Sequence, residues 1–230
     1  MTQKTLGVLE LETKPLELQG CLAGAGTFQF PVKRLTVKGA FTRNVIDGDR
    51  SVEAGYVAGA RRLEREGVSA IIANCGFTGI FQSSVSAAVS IPVALSALTL
   101  VPFVAKTLKP GAKVGILTYD AAKLVEDHFA GAGWSSRDIS VAVAGIDGSD
   151  LWHEFAKPAP NVTAPMLIEG VVTATNRLLS SNPDVEALVF ECTAFPVAAD
   201  VVRQQTGLRV ADVLTLANML IEMSPERDFS

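Results

Sequence analysis

The sequence predicts an α/β fold of two pseudo-symmetric lobes, each a parallel sheet flanked by helices, and three observations lead to this prediction. Short apolar segments alternate with helical ones along the 230 residues, as in parallel sheets whose strands are joined by helices. The strand-like segment LGVLEL at 6–11 has a counterpart, VGILTY, at 114–119. The segments IIANCGF at 71–77 and ALVFECTAF at 187–195 each carry an apolar run that ends beside a cysteine. We therefore expect the active site in the cleft between two similar lobes.

The first half of the chain opens with two strands and then alternates helices and strands. In chain order, the predicted elements are strand 6–11, strand 33–39, helix 51–67, strand 69–74, helix 78–90, strand 91–96 and helix 97–111. Polar and apolar residues alternate in the second of these strands, as they do in a half-buried strand. The first helix ends at Gly67 and the last is stopped by Pro110 and Gly111, all of which are typical helix-ending residues.

The second half restarts the same alternation. In chain order, the predicted elements are strand 113–119, helix 120–133, strand 140–146, helix 161–180, strand 185–191, helix 196–207, strand 208–210 and helix 212–223. Asp120 is the expected N-cap of the first of these helices. Asn182 and Pro183 end the second helix, and Pro196 begins the third.

Composition limits the partners that the chain can have. A hydrophobic content of 48% and a charged content of 19% are typical of a folded globular protein. The formal net charge is −4 and the 20 lysines and arginines form no block, which argues against nucleic acid or an anionic membrane as a partner. Residues 67–105 carry no charge, but Pro92, Pro102 and several polar residues divide this stretch, so we expect no membrane span.

Cysteine usage indicates a reducing compartment. Cys21, Cys75 and Cys192 are widely spaced, and they form neither a disulfide framework nor a C-x-x-C pair of the kind that binds zinc. The start of the sequence has no long apolar segment of the secretory type. We therefore expect a cytoplasmic protein without a metal or a cofactor.

The positions of Cys75 and Cys192 predict acid–base chemistry. Both follow a buried strand, and the carboxyl ends of parallel strands are where α/β folds bind ligands, so the two thiols are expected to face one ligand from opposite sides. One thiolate can then remove a proton from carbon while the other thiol returns a proton to the opposite face. Backbone N–H groups at the following helix starts would hold a carboxylate, with Asn74 nearby.

Structural explanations stand beside this one. Cysteine is among the most often buried residue types, so either thiol taken alone is more simply a core residue. Cys21, His128 and His153 do not follow a strand, and we expect them to be structural or on the surface. Glu191 would raise the pKa of the neighbouring thiol if its side chain points into the cleft, and would have no effect if it points away.

The motifs resemble those of the aspartate/glutamate racemase superfamily, which also holds hydantoin racemases, maleate isomerases and arylmalonate decarboxylases. The matching segments span nearly the whole chain in the family's order; they are LGVLEL, ANCGFTG around Cys75, GILTY around Thr118 and ECTAF around Cys192. The resemblance implies two facing lobes with Cys75 and Cys192 as the paired acid and base. It also implies that Thr118 helps to hold a substrate carboxylate and that Glu10 tunes the nearby thiol.

The same resemblance extends the candidate site beyond these residues. The expected substrate-binding residues are Glu10, Asn74, Gly76, Phe77, Thr78, Thr118, Tyr119 and Thr193. The final helix is expected to return to the first lobe, which would then comprise 1–97 and 209–230, while 98–208 forms the second lobe. The chain departs from the amino-acid racemases in its CGF and CTAFP motifs, which leaves the natural substrate open. Phe77 and Phe195 either contact an apolar substituent or pack in the core.

The first hypothesis for the function is a cofactor-independent racemase or epimerase that acts next to the carboxylate or carbonyl of a small acid. One alternative is an isomerase or decarboxylase of the same superfamily that uses a single cysteine as nucleophile or proton donor; the presence of both cysteines disfavours the decarboxylase type. The other is a non-catalytic protein that binds a small acid. The mean hydropathy of +0.31 hints at a buried subunit interface, so a homo-oligomer is expected without a defined number of subunits.

Overall fold

Two four-stranded parallel sheets form the framework of the chain and confirm the predicted α/β class. A computed structural model describes residues 3–157 and 160–225. The strands of the first sheet are β1 (Leu6–Glu10), β2 (Val32–Thr36), β3 (Ala70–Ala73) and β4 (Val93–Ala94). Those of the second are β5 (Lys113–Thr118), β6 (Val141–Gly145), β7 (Val185–Phe190) and β8 (Arg209–Ala211).

The two sheets have the same strand order, β2-β1-β3-β4 and β6-β5-β7-β8. In each sheet the first strand of the lobe is central and pairs in parallel with the second and third strands. Gly7 and Gly115, which mark the repeat in the sequence, occupy equivalent places in β1 and β5. The two halves therefore have the same topology, and the ends of β3 and β7 occupy equivalent positions.

Helices connect the strands. The α-helices of the described residues are α1 (Thr42–Ile46), α2 (Glu53–Arg65), α3 (Gln82–Ser86), α4 (Val101–Lys106), α5 (Glu126–Gly131), α6 (Asp150–Phe155), α7 (Ala164–Ser181), α8 (Ala199–Thr206) and α9 (Val213–Met223). Short 3-10 helices at Arg50–Val52, Gly76–Phe81, Ala97–Leu100 and Phe195–Ala198 precede α2, α3, α4 and α8. Among the described residues, no helix combines the length and the apolar character that a membrane crossing needs. The cytoplasmic location stays a prediction.

Several predicted helix boundaries are wrong. The single helices expected at 78–90 and 97–111 each begin as a 3-10 helix and continue as the short helices α3 and α4. The helix expected from Asp120 begins only after Val125, because the Asp120 carboxylate accepts a hydrogen bond from Ala122 N–H (3.0 Å) in a turn, and Val125 is extended. The sequence does not predict α1 or α6. Ser149 is the N-cap of α6, and its side chain accepts a hydrogen bond from the backbone N–H of Trp152.

The lobes share buried surface. Val114 and Ile116 of β5 belong to the same apolar cluster as Val8 and Ile72 of the first sheet. The final helix α9 contacts β3 of the first sheet and also β8 of the second. The assignment of residues 209–230 to the first lobe stays a prediction.

A glycine pair lets α5 of the second lobe approach the 3-10 helix Gly76–Phe81 of the first. A Cβ atom at Gly131 would overlap the carbonyl oxygen of Gly79 and lie 2.9 Å from its carbonyl carbon. Because these are backbone atoms, they cannot turn aside as a flexible side chain does. Glycine at 131 is therefore required for the close approach of the two lobes.

We predict that Gly131→Ala lowers the free energy of unfolding by about 2 kcal/mol, because overpacking at the lobe contact outweighs the better helix propensity of alanine. Thermal or urea unfolding measures the change. Gly55→Ala in α2 is the matched control, since its Cβ would meet only the Val37 Cγ1 methyl (2.9 Å), and we expect a change within about 1 kcal/mol. Equal stability of wild type and Gly131→Ala would contradict the described packing.

Candidate active site

A cavity of about 700 Å³ lies between the lobes, and both candidate catalytic cysteines line it. Cys75 follows β3 directly before the 3-10 helix, and Cys192 follows β7 in the equivalent place. Both side chains are partly buried and neither forms a disulfide. The pseudo-symmetric topology therefore brings the two thiols to one cavity from different lobes.

A direct hydrogen bond joins the two cysteine loops. The Thr193 hydroxyl donates to the backbone carbonyl of Asn74 over 2.6 Å. The Asn74 side chain accepts a hydrogen bond from Leu11 N–H (2.9 Å), so the same loop is also tied to the end of β1. These contacts fix the loops that carry Cys75 and Cys192 relative to each other.

Glu191 points into the interface between the lobes rather than away from it. Its side chain is fully buried, and Oε2 accepts a hydrogen bond from the Thr118 hydroxyl (2.7 Å). Oε1 has no hydrogen-bond partner among the described residues. A Cβ at Gly76 would overlap Oε1 and the carbonyl oxygen of Glu191. The carboxyl group therefore lies against the Cys75 loop, with one oxygen unsatisfied.

Burial raises the pKa values of all three groups, and the charge of Glu191 raises those of the two thiols further. Burial raises the Glu191 pKa to about 7, although the hydrogen bond from Thr118 acts in the opposite direction. The Cys75 pKa rises to about 12 through burial and the Glu191 charge, against the N–H groups of Phe77 and Thr78, which lower it. The Cys192 pKa rises well above its usual value, mainly through burial and Glu191. At neutral pH both thiols hold their protons and Glu191 is close to its midpoint.

The backbone favours ionisation of Cys75 over that of Cys192. Two backbone N–H groups lower the pKa of Cys75, whereas only one, that of Ala194, lowers the pKa of Cys192. Cys192 is also opposed by the charges of Cys75 and Cys21. If one thiolate forms, Cys75 is the better placed to carry it.

Five of the eight predicted substrate-binding residues line the cavity. They are Asn74, Gly76, Phe77, Tyr119 and Thr193. Phe77 is almost fully buried and its ring meets His128 edge-on, with centroids 5.1 Å apart. Phe195 is fully buried and packs on Phe190, so it is part of the core.

The structure does not bring Thr78, Thr118 and Glu10 to the cavity wall. The Thr78 hydroxyl is buried and bonded to the carbonyl oxygens of Cys75 (2.6 Å) and Leu95 (3.0 Å). The hydroxyl of Thr118 is engaged by Glu191. These threonines support the residues that line the cavity.

Glu10 forms an ion pair with Arg34. The Arg34 guanidinium lies 2.7 Å from Glu10 Oε1 and also donates to the carbonyl oxygen of Leu22 (2.8 Å). The carboxylate that raises the Cys75 pKa is that of Glu191, which directly precedes Cys192 in the opposite lobe. The tuning role expected for Glu10 stays a prediction.

Residues that the sequence reading did not select also adjoin the site. Cys21, expected to be incidental, lines the cavity, and its thiol donates to the Ala194 carbonyl oxygen (3.6 Å). Tyr56 of α2 is fully buried, and its hydroxyl has no partner among the described residues. Burial, together with the charge of Cys75, raises the Tyr56 pKa. The sequence does not point to either residue. Tyr56 reaches the site because α2 packs there, and Cys21 reaches it because the loop between β1 and β2 folds back over the cavity.

Aromatic side chains form one wall of the cavity, on the second lobe. We call Tyr119, Trp152 and Phe155 the aromatic wall. The ring of Tyr119 stacks on Trp152 at a centroid distance of 6.0 Å and meets Phe155 at 90°, also at 6.0 Å. The Tyr119 hydroxyl donates to the Trp152 carbonyl oxygen over 3.3 Å. This wall depends on α6, which the sequence reading missed.

Charged residues surround the cavity entrance. Lys123 of the second lobe and Asp47 of the first form an ion pair of 2.6 Å across the lobes, and both line the cavity. Lys14 and Arg43 line it from the first lobe. Within residues 3–157 and 160–225, no three His, Cys, Asp or Glu side chains cluster as a metal site would need.

Sequence comparison finds relatives whose names describe lyases. The chain is 26% identical over 225 residues to a dimethylsulfoniopropionate lyase of Durusdinium sp. clade D, covering 94% of this chain and 74% of that protein. It is 22% identical over 225 residues to dimethylsulfoniopropionate lyase 3 of Emiliania huxleyi, covering 94% and 59%. The chain therefore spans little more than half of the second protein's length. No protein-family model matches the chain.

Structural comparison finds both racemases and decarboxylases. Unliganded arylmalonate decarboxylase has a TM-score of 0.61 at 14% identity, covering 99% of this chain and 96% of the other. Allantoin racemase of Pseudomonas fluorescens has a TM-score of 0.63 at 17% identity, covering 95% and 89%. A glutamate racemase of Bacillus anthracis has 0.60 at 14%, covering 95% and 80%. The chain shares its fold with these racemases and with arylmalonate decarboxylase.

Proposed function

We propose that the chain is a lyase that removes a proton from the carbon next to the carboxylate of a small acid and expels a leaving group from the following carbon. The observation that carries this proposal is the buried carboxyl group of Glu191. It lines the same cavity as Cys75 and Cys192, and its charge raises the pKa of both thiols. The dimethylsulfoniopropionate lyases among the relatives make dimethylsulfoniopropionate the first substrate to test.

In this proposal Cys75 is the base and Glu191 accepts its proton. Transfer of the thiol proton to Glu191 creates a thiolate and removes the negative charge that opposes it. The N–H groups of Phe77 and Thr78 then stabilise the thiolate. With a pKa of about 7, the Glu191 carboxylate is available as the acceptor at and above neutral pH. The transfer from Cys75 is uphill, because the thiol pKa is about 12, so the thiolate forms only transiently.

The elimination balances without a cofactor. The Cys75 thiolate forms an S–H bond with the proton taken from the carbon next to the carboxylate. The electron pair of that C–H bond forms the double bond of acrylate. The electron pair of the carbon–sulfur bond leaves with sulfur as neutral dimethyl sulfide, and the captured proton passes to solvent. The leaving group needs no proton, so one base is sufficient.

Racemisation or epimerisation is the second candidate function. The observation that favours it is the presence of a second thiol, Cys192, at the equivalent strand end of the other lobe. Proton removal by one thiolate and proton return by the other thiol would invert a stereocentre. Both candidates share the first step, removal of a proton next to a carboxylate.

We predict that the two cysteines contribute unequally to the lyase reaction. Cys75→Ser should lower the rate of dimethyl sulfide release by at least about 100-fold, because the base is lost, while Cys192→Ser should lower it by less than about tenfold. Gas chromatography of dimethyl sulfide and NMR of acrylate measure the two products.

A racemase gives a different result in a parallel assay. Enantiopure amino acids and hydantoins are incubated in deuterated water, and α-deuterium incorporation is followed by NMR. Inversion that requires both Cys75 and Cys192 would identify the second candidate. Wild type that releases no dimethyl sulfide and exchanges no α-proton would refute both candidates.

We predict that Glu191→Gln removes a pH-dependent step. The wild-type kcat/KM should fall as pH drops through about 7, because protonated Glu191 can no longer accept the thiol proton. In Glu191→Gln that transition should disappear, and kcat/KM at neutral pH should fall about 100-fold. Glu186→Gln is the matched control and should keep the wild-type profile, because Glu186 is a partly exposed residue of β7 that forms an ion pair with Lys109.

We also predict that Glu191 makes stability depend on pH. Its pKa is higher in the folded chain than in the unfolded one, so its contribution is fully present below about 4.5 and is lost as pH rises through about 7. The shift corresponds to about 3 kcal/mol. Thermal unfolding from acidic to mildly alkaline pH should therefore vary less for Glu191→Gln than for wild type. Identical pH dependence in the two proteins would show that Glu191 is not buried as described.

A further inference from the structure

We propose that the aromatic wall of Tyr119, Trp152 and Phe155 binds the positively charged onium end of the substrate, so that the site selects small acids with a sulfonium or quaternary ammonium group. This inference rests on the proposed function, since it names the class of substrate for the same cavity. Aromatic faces attract such cations because the ring carries negative charge above its plane.

The geometry of the wall suits a compact cation. Two rings stack with an interplanar angle of 21° and the third meets Tyr119 edge-on, so the group offers surfaces in two directions. The Ser149 hydroxyl accepts from the backbone N–H of Trp152 (3.1 Å) at the start of α6, and the Tyr119 hydroxyl donates to the backbone carbonyl oxygen of Trp152. These bonds hold the Tyr119 ring against the start of α6, and the Trp152 ring stacks on it, so the wall is ordered before a ligand arrives and the entropic cost of binding falls.

The charges beside the wall favour a cation. Asp120 lies in the cavity wall next to Tyr119, and its carboxylate supplies negative charge. Burial and Asp120 raise the Tyr119 pKa to about 12, so the ring remains a neutral phenol at physiological pH. The lysines of the second lobe at the cavity are neutralised, since Lys123 pairs with Asp47 and Lys157 pairs with Glu154.

The wall also lies within reach of the reacting atoms. Tyr119 and Cys192 line the same cavity and pack against the same apolar cluster of the second lobe. Lys14 and Arg43 line the first-lobe side, and neither forms an ion pair with any residue in the described ranges. A carboxylate toward the first lobe, a reacting carbon at the thiols and an onium group on the second lobe would fit one small zwitterion.

The test measures binding without turnover. The double variant Cys75→Ser/Cys192→Ser is titrated calorimetrically with dimethylsulfoniopropionate and with 4-methylpentanoate, its carbon isostere without the positive charge. We expect the sulfonium compound to bind about tenfold more tightly. Adding Trp152→Leu should reduce this preference to less than about threefold, and Trp152→Phe should retain most of it.

Two further variants guard against loss of folding. Phe155→Leu repeats the test if Trp152→Leu does not fold, and Phe103→Leu, an exposed aromatic residue outside the cavity lining, should leave the preference unchanged. Equal binding of the two ligands, or a preference that survives loss of both Trp152 and Phe155, would overturn the proposal. β-Alanine betaine against its tert-butyl isostere repeats the comparison without sulfur, and a preference confined to the sulfur pair would also overturn it.

Failure of this inference and failure of the proposed function give different results. Dimethyl sulfide release by wild type without an onium preference would overturn the aromatic subsite and leave the lyase reaction intact. An onium preference in the inactive variant, with no turnover by wild type, would leave the subsite standing and refute the lyase reaction.

Discussion

The contact between Glu191 and Gly76 is the constraint on which the geometry of the site depends. It brings a carboxyl group from the end of β7 against the loop that follows β3, where any side chain at position 76 would overlap it. The bond from Thr193 to Asn74 closes the same junction. The spacing between the two cysteine loops is therefore set by backbone and carboxyl atoms, which leaves little freedom for the lobes to separate.

Placing a carboxyl group there costs stability, and the cost points to function. A buried carboxylate with an unsatisfied oxygen is unfavourable unless it is protonated or paired. A purely structural role would be served by a neutral side chain that keeps the hydrogen bond to Thr118. In the proposed lyase, Glu191 would accept the proton of a thiol that otherwise stays protonated, and so would ionise that thiol only during the reaction.

The two lobes contribute different surfaces to one cavity. The first supplies Lys14 and Arg43, and the second supplies the aromatic wall. A substrate bridging the lobes would thus meet positive charge at one end and aromatic faces at the other. The same fold occurs in a decarboxylase and in a racemase, so the fold alone does not determine the reaction, and the residues that line the cavity must be tested directly.

The α/β class and the repeat can be predicted from the amino-acid sequence, because strand and helix periodicities and strand-end cysteines are local signals repeated in both halves. The same signals select Cys75 and Cys192, because the end of a parallel strand is a recognisable place in a chain. The direction of Glu191 and the pairing of Glu10 with Arg34 depend on the folded packing of the two lobes. The same packing places Trp152 in the cavity. Side-chain orientation and contacts between lobes depend on packing across long sequence distances, which no local pattern encodes.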